Sequence, residues 1–372
     1  MKKSICIAWY AYPSYIQWSD RTRRVERRSY LETLLQTQTL PRNIGEYFLN
    51  KGYSVDYLLG SSFLTSNLWL KKGYLFWSKP SNLLQRIIYF VDRKIYQSYI
   101  DYIYTAKKYD IISFEGIAPS LSTFSNSNDK TKTFLWMGIY PFSLPQNSVV
   151  RQAIPYMDLV VCTGEKIVNE ACEIGAKNTL FINGGIDNTL FFPENMDSRL
   201  KSKYECDIGF VGSLSRHHQT RIKHLRHVIE SCSDLRIKVW SPNVDTCPPD
   251  IKSYVALSES AIDMRHAICG AKINLNIQID GGEKETRGLN FRTFEISACR
   301  GFQLMHYQKG IEEIYNLESE VVCYKSIDDL VSLIRFYLSN NNEREIIANN
   351  AYLRTIRDHL WYSRIEQIYN VI

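Results

Sequence analysis

Short apolar runs alternate with longer amphipathic stretches along most of the chain. In the first half, Ser4–Trp9, Tyr53–Leu59, Asp110–Phe114, Thr133–Met137, Leu159–Cys162 and Thr179–Ile182 have the length and composition of buried strands. Helix-length segments lie between several of them; in Arg28–Lys51 the apolar positions Tyr30, Leu31, Leu34 and Leu35 return at roughly helical spacing. A second alternation begins at Cys206. Strands are predicted at Cys206–Val211, Leu235–Trp240, Lys272–Ile277, Phe302–His306 and Val321–Tyr324, with helices at Arg221–Ser231, Ala261–Cys269, Asn290–Cys299 and Ile327–Leu338.

Alternating strands and helices predict a parallel, doubly wound sheet, and two such series predict an α/β chain with two Rossmann-like domains in tandem. The stretch FFPENMDSRLKSK, residues 191–203, combines a proline with charges and has no period, so it reads as the linker. The expected domains are therefore 1–192 and 204–342, with an aromatic and basic insertion at about 62–104. A helical tail, 343–372, has Leu353, Ile356, Leu360, Tyr362, Ile365 and Ile368 as its core positions and is expected to return to the N-terminal domain.

A length of 372 residues suits two domains, and 45% hydrophobic with 23% charged residues is an ordinary globular balance that excludes a disordered chain. Nine cysteines without a C-x-x-C pair argue against both a disulfide framework and a zinc site. No run of about 18 apolar residues is present to span a membrane. The start MKKSICIAWYAY lacks a small-residue cleavage site and reads as a first strand, so the expected compartment is the cytoplasm.

The net charge of +6 is uneven: residues 1–110 hold 17 Lys or Arg against eight Asp or Glu. Such an excess suits an anionic partner, whether phosphate, lipid headgroup or nucleic acid, and equally suits a solubilising surface. The insertion's aromatic and basic residues fit a membrane interface, or else core or dimer packing.

Two segments carry chemistry. In DIGFVGSLSRHHQTRIKHL, Gly212 and Ser213 turn a buried strand into a helix, where backbone amides can approach a phosphate, with Arg216 and Arg221 nearby as full charges. In KINLNIQIDGGEKETRGLNFRTFEISACRGFQLMH, a strand runs into a polar loop and then a helix bearing Arg287, Gly288, Asn290, Phe291, Arg292 and Glu295. Ligands of doubly wound sheets bind beyond the carboxyl ends of the strands, which is where this loop must lie. Arginine forks there suit a pyrophosphate, and a carboxylate suits ribose or sugar hydroxyls.

The second segment resembles the N-x-R-x-F-E-x-x-A-C-G-G pattern of CgeB-like, glycosyl transferases group 1 enzymes of the GT-B type. The matches are Asn290, Arg292, Phe294, Glu295, Ala298, Cys299 and Gly301, with a departure at Arg300, where the family has glycine. Upstream, Gly185, Ile186, Asp187, Phe191 and Pro193 match the family's G-[VI]-D-x-x-x-F-x-P element. The resemblance covers residues 155–310 and implies a GT-B fold with a cleft between the domains. It also implies a nucleotide-activated sugar as donor and, as acceptor, a saccharide or lipid-linked saccharide in cell-surface polysaccharide assembly. Glu295 takes the place of the carboxylate facing the nucleotide ribose, with Arg292 beside it. The second glutamate of retaining relatives is replaced by Arg287, which leaves the stereochemistry open.

By the same resemblance the N-terminal domain holds the acceptor. An inverting enzyme needs a general base there, and the candidates at strand mouths are Glu115, Asp20 and Asp187, with Glu115 favoured and Asp187 assigned to ordering its loop. Arg23 and Arg24, in a loop rich in Tyr, Trp and Arg, are candidates for holding the acceptor. No D-x-D motif is present, so neither metal nor cofactor is expected. The competing functions are a transferase of the same fold using phosphoribosyl pyrophosphate, and a non-enzymatic protein binding nucleic acid through its basic face; no nucleic acid is the expectation.

Overall fold

The computed structural model describes residues 3–10, 39–60, 94, 97–106, 109–124, 131–138, 140–214, 218–242, 244–258, 260–278 and 287–372. They form two compact units, one of residues 1–182 with 364–372 and the other of residues 183–363. The chain therefore leaves the first unit at Ile182, earlier than the linker at 191–203, and residues 343–363 group with the second.

The first unit is built on a parallel sheet of six described strands in the order β2-β1-β3-β4-β5-β6. These are β1 (Ser4–Tyr10), β2 (Ser54–Gly60), β3 (Ile111–Glu115), β4 (Lys132–Met137), β5 (Leu159–Cys162) and β6 (Thr179–Phe181). The central strands are apolar at consecutive positions because a parallel sheet buries both faces: Ile5, Cys6, Ile7 and Ala8 are all buried, as are Phe134 and Leu135. Helix α1 (Thr39–Asn50) buries Leu40, Ile44, Tyr47 and Phe48, a stripe at helical spacing. Helix α2 (Glu165–Ile174) stops at Gly175, whose φ of 103° lets its N–H return to the carbonyls of Ala171 and Cys172. Tyr369, from the chain's end, closes a ring cluster with Tyr47, Phe48 and Tyr53.

The second unit has a parallel sheet in the order β12-β11-β10-β7-β8-β9. Its strands are β7 (Cys206–Val211), β8 (Ile237–Ser241), β9 (Val255–Leu257), β10 (Ala271–Asn276), β11 (Gln303–His306) and β12 (Val322–Tyr324). The helices are α3 (Gln219–Ser231), α4 (Ala261–Gly270), α5 (Arg292–Ala298), α6 (Ile327–Ser339) and α7 (Asn341–Asp358). Ser260 and Ser326 cap α4 and α6 by accepting the amides of Asp263 and Asp329. The two-domain α/β architecture matches the expectation, and most strand limits differ from it by a residue or two.

Three features differ from the sequence reading. The edge strand β9 is only three residues long and largely exposed, so it left no apolar run to detect. The tail is not one helix: Ile186 donates its N–H to the His359 carbonyl at 2.9 Å and accepts the Trp361 N–H at 3.1 Å, which diverts the backbone at Leu360 into a bridge. Leu353 and Tyr362, expected in the core, are 57% and 46% exposed, whereas Ile347, Ala348, Ala351 and Thr355 form the packed stripe of α7. The small residues Ala348 and Ala351 leave room for neighbouring elements such as α5, which packs on α7. Among the described residues no helix is long and apolar enough to cross a membrane.

Candidate functional site

Strand order reverses between β7 and β10 in the second sheet and between β1 and β3 in the first, so each sheet has a switch point where a ligand crevice opens at the carboxyl ends. At the first of these Gly212 follows β7 and donates its N–H to the Trp240 carbonyl at 2.9 Å. A Cβ on Gly212 would lie 2.9 Å from the Phe210 ring and 3.4 Å from Arg221 Nη1, which explains the glycine by close approach. Arg221 reaches back from α3, donating from Nε to the Ile277 carbonyl at 3.0 Å and from Nη1 to the Ser213 carbonyl at 3.2 Å. One guanidinium thus ties the end of β7 to the end of β10 across the switch point, with its carbon 5.8 Å from the Phe210 ring centre.

The entry to α5 is fixed by a buried amide network. Asn276, the last residue of β10, donates from Nδ2 to Thr293 Oγ1 at 3.0 Å and Gln303 Oε1 at 3.1 Å, and its Oδ1 accepts from Asn290 Nδ2 at 2.9 Å. Asn290 Oδ1 accepts from the Thr293 N–H and hydroxyl, both at 3.1 Å. Gln303 Nε2 donates to the Thr293 carbonyl and Ser297 Oγ. The side chains satisfy one another, so they specify one orientation of α5 relative to β10 and β11. Asn290 is therefore a positioning residue whose amide is already engaged.

The helix so held presents Arg292 and Glu295 one turn apart. Arg292 Nη1 lies 2.5 Å from Glu295 Oε2, yet makes no well-angled hydrogen bond, so the contact is ionic rather than directional. Arg292 Nη2 rests 3.2 Å from Met264 Sδ. Arg287 Nη1 pairs with Glu313 Oε2 at 3.3 Å, and Gly288 follows it in irregular chain. Phe291 is 42% exposed, its ring edge-on to Trp361 at 5.7 Å. At the other end of α5, Arg300 adopts φ 55°, the left-handed cap position where the related pattern has glycine. Its N–H bonds the Ser297 carbonyl, and the Gly301 N–H bonds that of Ile296. Close helix-to-strand packing depends on Gly301 instead: a Cβ there would lie 2.9 Å from Asn274 Nδ2 and 3.0 Å from Ile268.

In the first unit Glu115 ends β3 at that sheet's switch point, flanked in register by Trp9 of β1 and Trp136 of β4. Gly116, at φ 66°, turns the chain away immediately. Glu115 keeps some surface, but its Oε2 is buried without a hydrogen-bond partner among the described residues, and burial pushes the carboxyl well above the usual carboxylate range. Asp187 belongs to the second unit and orders a turn, accepting from the Thr189 N–H at 3.0 Å and hydroxyl at 2.6 Å. Asp20, Arg23, Arg24, Arg216 and most of the 62–104 insertion lie outside the described residues.

Two polar groups the sequence reading passed over are Gln278, whose buried Nε2 follows the end of β10, and Asn183, whose Oδ1 is buried; neither atom has a hydrogen-bond partner among the described residues. A glutamine closing the apolar run KINLNIQ was the available signal. Among the described residues no three of His, Cys, Asp and Glu are grouped to hold a metal ion.

Residues 216–370 match the model of a family described as glycosyl transferase-like. Similar solved structures span nearly both whole chains. Sucrose-phosphate synthase from Thermosynechococcus elongatus is 11% identical with a TM-score of 0.60, covering 98% of each chain. A glycosyltransferase from Rickettsia africae is 13% identical with a TM-score of 0.60, covering 99% of this chain and 97% of its own. HepE from Anabaena, solved in complex with UDP and glucose, is 11% identical with a TM-score of 0.57, covering 98% of each. The fold is that of the GT-B glycosyltransferases. No curated protein matches the chain in sequence. Within this GT-B fold the matched segment takes in Arg221, Arg287, Asn290, Arg292 and Glu295, and Glu115 stands on the other sheet.

Proposed function

We propose that the chain is a glycosyltransferase that binds a nucleotide-activated sugar at the carboxyl edge of its second sheet and passes the sugar to a hydroxyl of a saccharide or lipid-linked saccharide. The observation that carries this reading is the pinned entry of α5: the Asn276, Asn290, Thr293 and Gln303 network fixes the helix that presents Arg292 and Glu295 beside a switch point. Pre-organised charges of this kind serve electrostatic catalysis because they need no reorganisation as charge develops.

In the proposed reaction Glu295 accepts hydrogen bonds from ribose hydroxyls, while Arg292 and Arg287 neutralise the departing diphosphate. Arg221 acts by position, since two of its nitrogens are engaged with strand-end carbonyls. Gly212 is not assigned to the phosphate, since its N–H is held by the Trp240 carbonyl and its open side is filled by Phe210 and Arg221; Ser213, next in the turn, is assigned to it, with Arg216 near in sequence. Glu115 takes the proton of the acceptor hydroxyl as its oxygen attacks the anomeric carbon and the bond to the diphosphate breaks; Asp20 is the second candidate for that role. Arg23 and Arg24 are assigned to the acceptor. No metal enters the scheme, and the proposed setting is cell-surface polysaccharide assembly at the cytoplasmic face of a membrane.

The complex of HepE with UDP and glucose makes uridine donors the first to test. The full chain is incubated with UDP-, GDP-, CDP- and ADP-sugars and with phosphoribosyl pyrophosphate, and released nucleotide or pyrophosphate is measured. Release from one nucleotide sugar, falling at least tenfold in Glu295→Ala and Arg292→Ala, supports the reading. Pyrophosphate released from the ribosyl donor alone replaces it, and release unaffected by either substitution refutes the assigned site.

A further inference from the structure

We infer that a cavity at the amino edge of the second sheet is a binding site for a small phosphate monoester, held by the guanidiniums of Arg300 and Arg344. The cavity has a volume of about 340 Å³ and lies within the second unit. It adjoins Ala271, where β10 begins, and Gly301 and Phe302, which precede β11, so it opens away from the carboxyl edge assigned to the donor. The inference is therefore independent of the donor reading. That volume is at the lower end of the roughly 300–1,000 Å³ that small-molecule sites occupy, enough for a phosphate with a short organic body. Ile268, Phe302 and Ala348 supply apolar wall for that body.

The charges on the wall do not cancel. Lys272 pairs with Asp207 at 2.8 Å, and Glu194 accepts from Arg265 Nε at 2.8 Å with His266 Nε2 3.1 Å away. Neither Arg300 nor Arg344 forms an ion pair among the described residues, which leaves two guanidiniums on the wall against one carboxylate, that of Glu345. Glu345 itself accepts from Asn341 Nδ2 at 2.7 Å. Arg344 is 7% exposed and donates only to neutral acceptors, the Tyr337 carbonyl at 2.6 Å and Asn341 Oδ1. Burial lowers its pKa, against the pull of the Glu345 charge. A buried cation without a matching anion is costly, and one that lines a cavity gains that anion when a ligand enters.

Arg300 supplies a second, independent observation. It is exposed, follows α5 and holds φ 55°, a conformation that glycine adopts at less cost. Strain kept at a cavity wall points to a use for the side chain that glycine lacks. The two guanidiniums come from different elements, the end of α5 and the first turn of α7. Two such forks suit the double charge and three free oxygens of a phosphate monoester, whereas a monocarboxylate satisfies only one.

The test follows the melting temperature of the full chain in glycerol phosphate, inorganic phosphate or acetate at millimolar concentration, with sodium chloride holding the ionic strength constant. Glycerol phosphate should raise the wild-type value in a saturable way, with acetate inert and inorganic phosphate weaker because it leaves the apolar wall uncovered. Arg300→Gly should weaken the apparent affinity roughly tenfold or more, and Arg344→Gln likewise. Without ligand Arg300→Gly melts above wild type, and that advantage should shrink as glycerol phosphate is added. Arg292→Ala should keep wild-type affinity, which separates this cavity from the donor crevice. No shift beyond that of chloride, equal affinity in Arg300→Gly, or loss of the shift in Arg292→Ala instead would overturn the inference, and tighter binding of inorganic phosphate would overturn the monoester assignment. Arg300→Gly decides the matter alone should Arg344→Gln fail to fold.

Discussion

Replacing Asn276 with leucine keeps the side-chain volume nearly constant and removes three hydrogen bonds at once. Thr293 Oγ1 retains its bond to Asn290, but Gln303 Oε1 and Asn290 Nδ2 lose the bonds they make to Asn276. Each of the two polar groups stranded costs about 2 kcal/mol at the middle of the usual range, and the added apolar surface returns about 1.5 kcal/mol, so Asn276→Leu should destabilise the second unit by roughly 2–3 kcal/mol. Thr293→Val removes a partner in the same network, so the double variant should cost less than the two singles combined. Urea unfolding of the full chain gives the stabilities, and nucleotide titration of the folded variants gives the functional readout. Because α5 is no longer pinned, donor affinity should fall although neither residue is assigned to touch the donor. A loss below about 1 kcal/mol, or strict additivity in the double variant, would show that the network does not hold the helix.

Other outcomes follow from single positions. Arg300→Gly should raise stability by roughly 1 kcal/mol in thermal unfolding, since glycine adopts φ 55° without the cost of about 1–2 kcal/mol carried by other residues. Gly301→Ala should lower it by about 1–3 kcal/mol, because the new Cβ meets Asn274, Ile268 and Ile296 at 2.9–3.1 Å. Glu115 has a raised folded pKa, so its contribution to stability is complete below the ordinary carboxyl value and is lost as pH rises through the folded value. Glu115→Gln should therefore gain in melting temperature relative to wild type between pH 5 and pH 8. With Glu115 as base, the acid limb of wild-type kcat/KM should lie above the usual carboxylate range and disappear in Glu115→Gln.

The alternation of apolar runs made the two sheets legible because parallel strands are buried on both faces and need no pattern finer than hydrophobicity. Val255–Leu257 escaped because an exposed three-residue edge strand carries no such run. The break at Leu360 escaped as well, since a backbone bridge to Ile186 is a tertiary contact with no local sign. Asn290, Arg292 and Glu295 were marked by their spacing before and within a helix. Their supports were not, because Asn276 and Gln303 lie on different strands and meet only after folding. Arg221 was legible as a charge near a glycine turn, but its use as a strap across β7 and β10 depends on strand order, which local sequence does not encode.

The measurement that tests the central claim most directly is a thermal-shift titration of the full chain with UDP, GDP, CDP, ADP and CMP, with Arg292→Ala and Glu295→Ala alongside. One nucleotide should raise the melting temperature of the wild type, equivalent to about 2.7 kcal/mol at a hundred times its dissociation constant, and both variants should lose the shift. No shift with any nucleotide at millimolar concentration, or an equal shift in the variants, would contradict it.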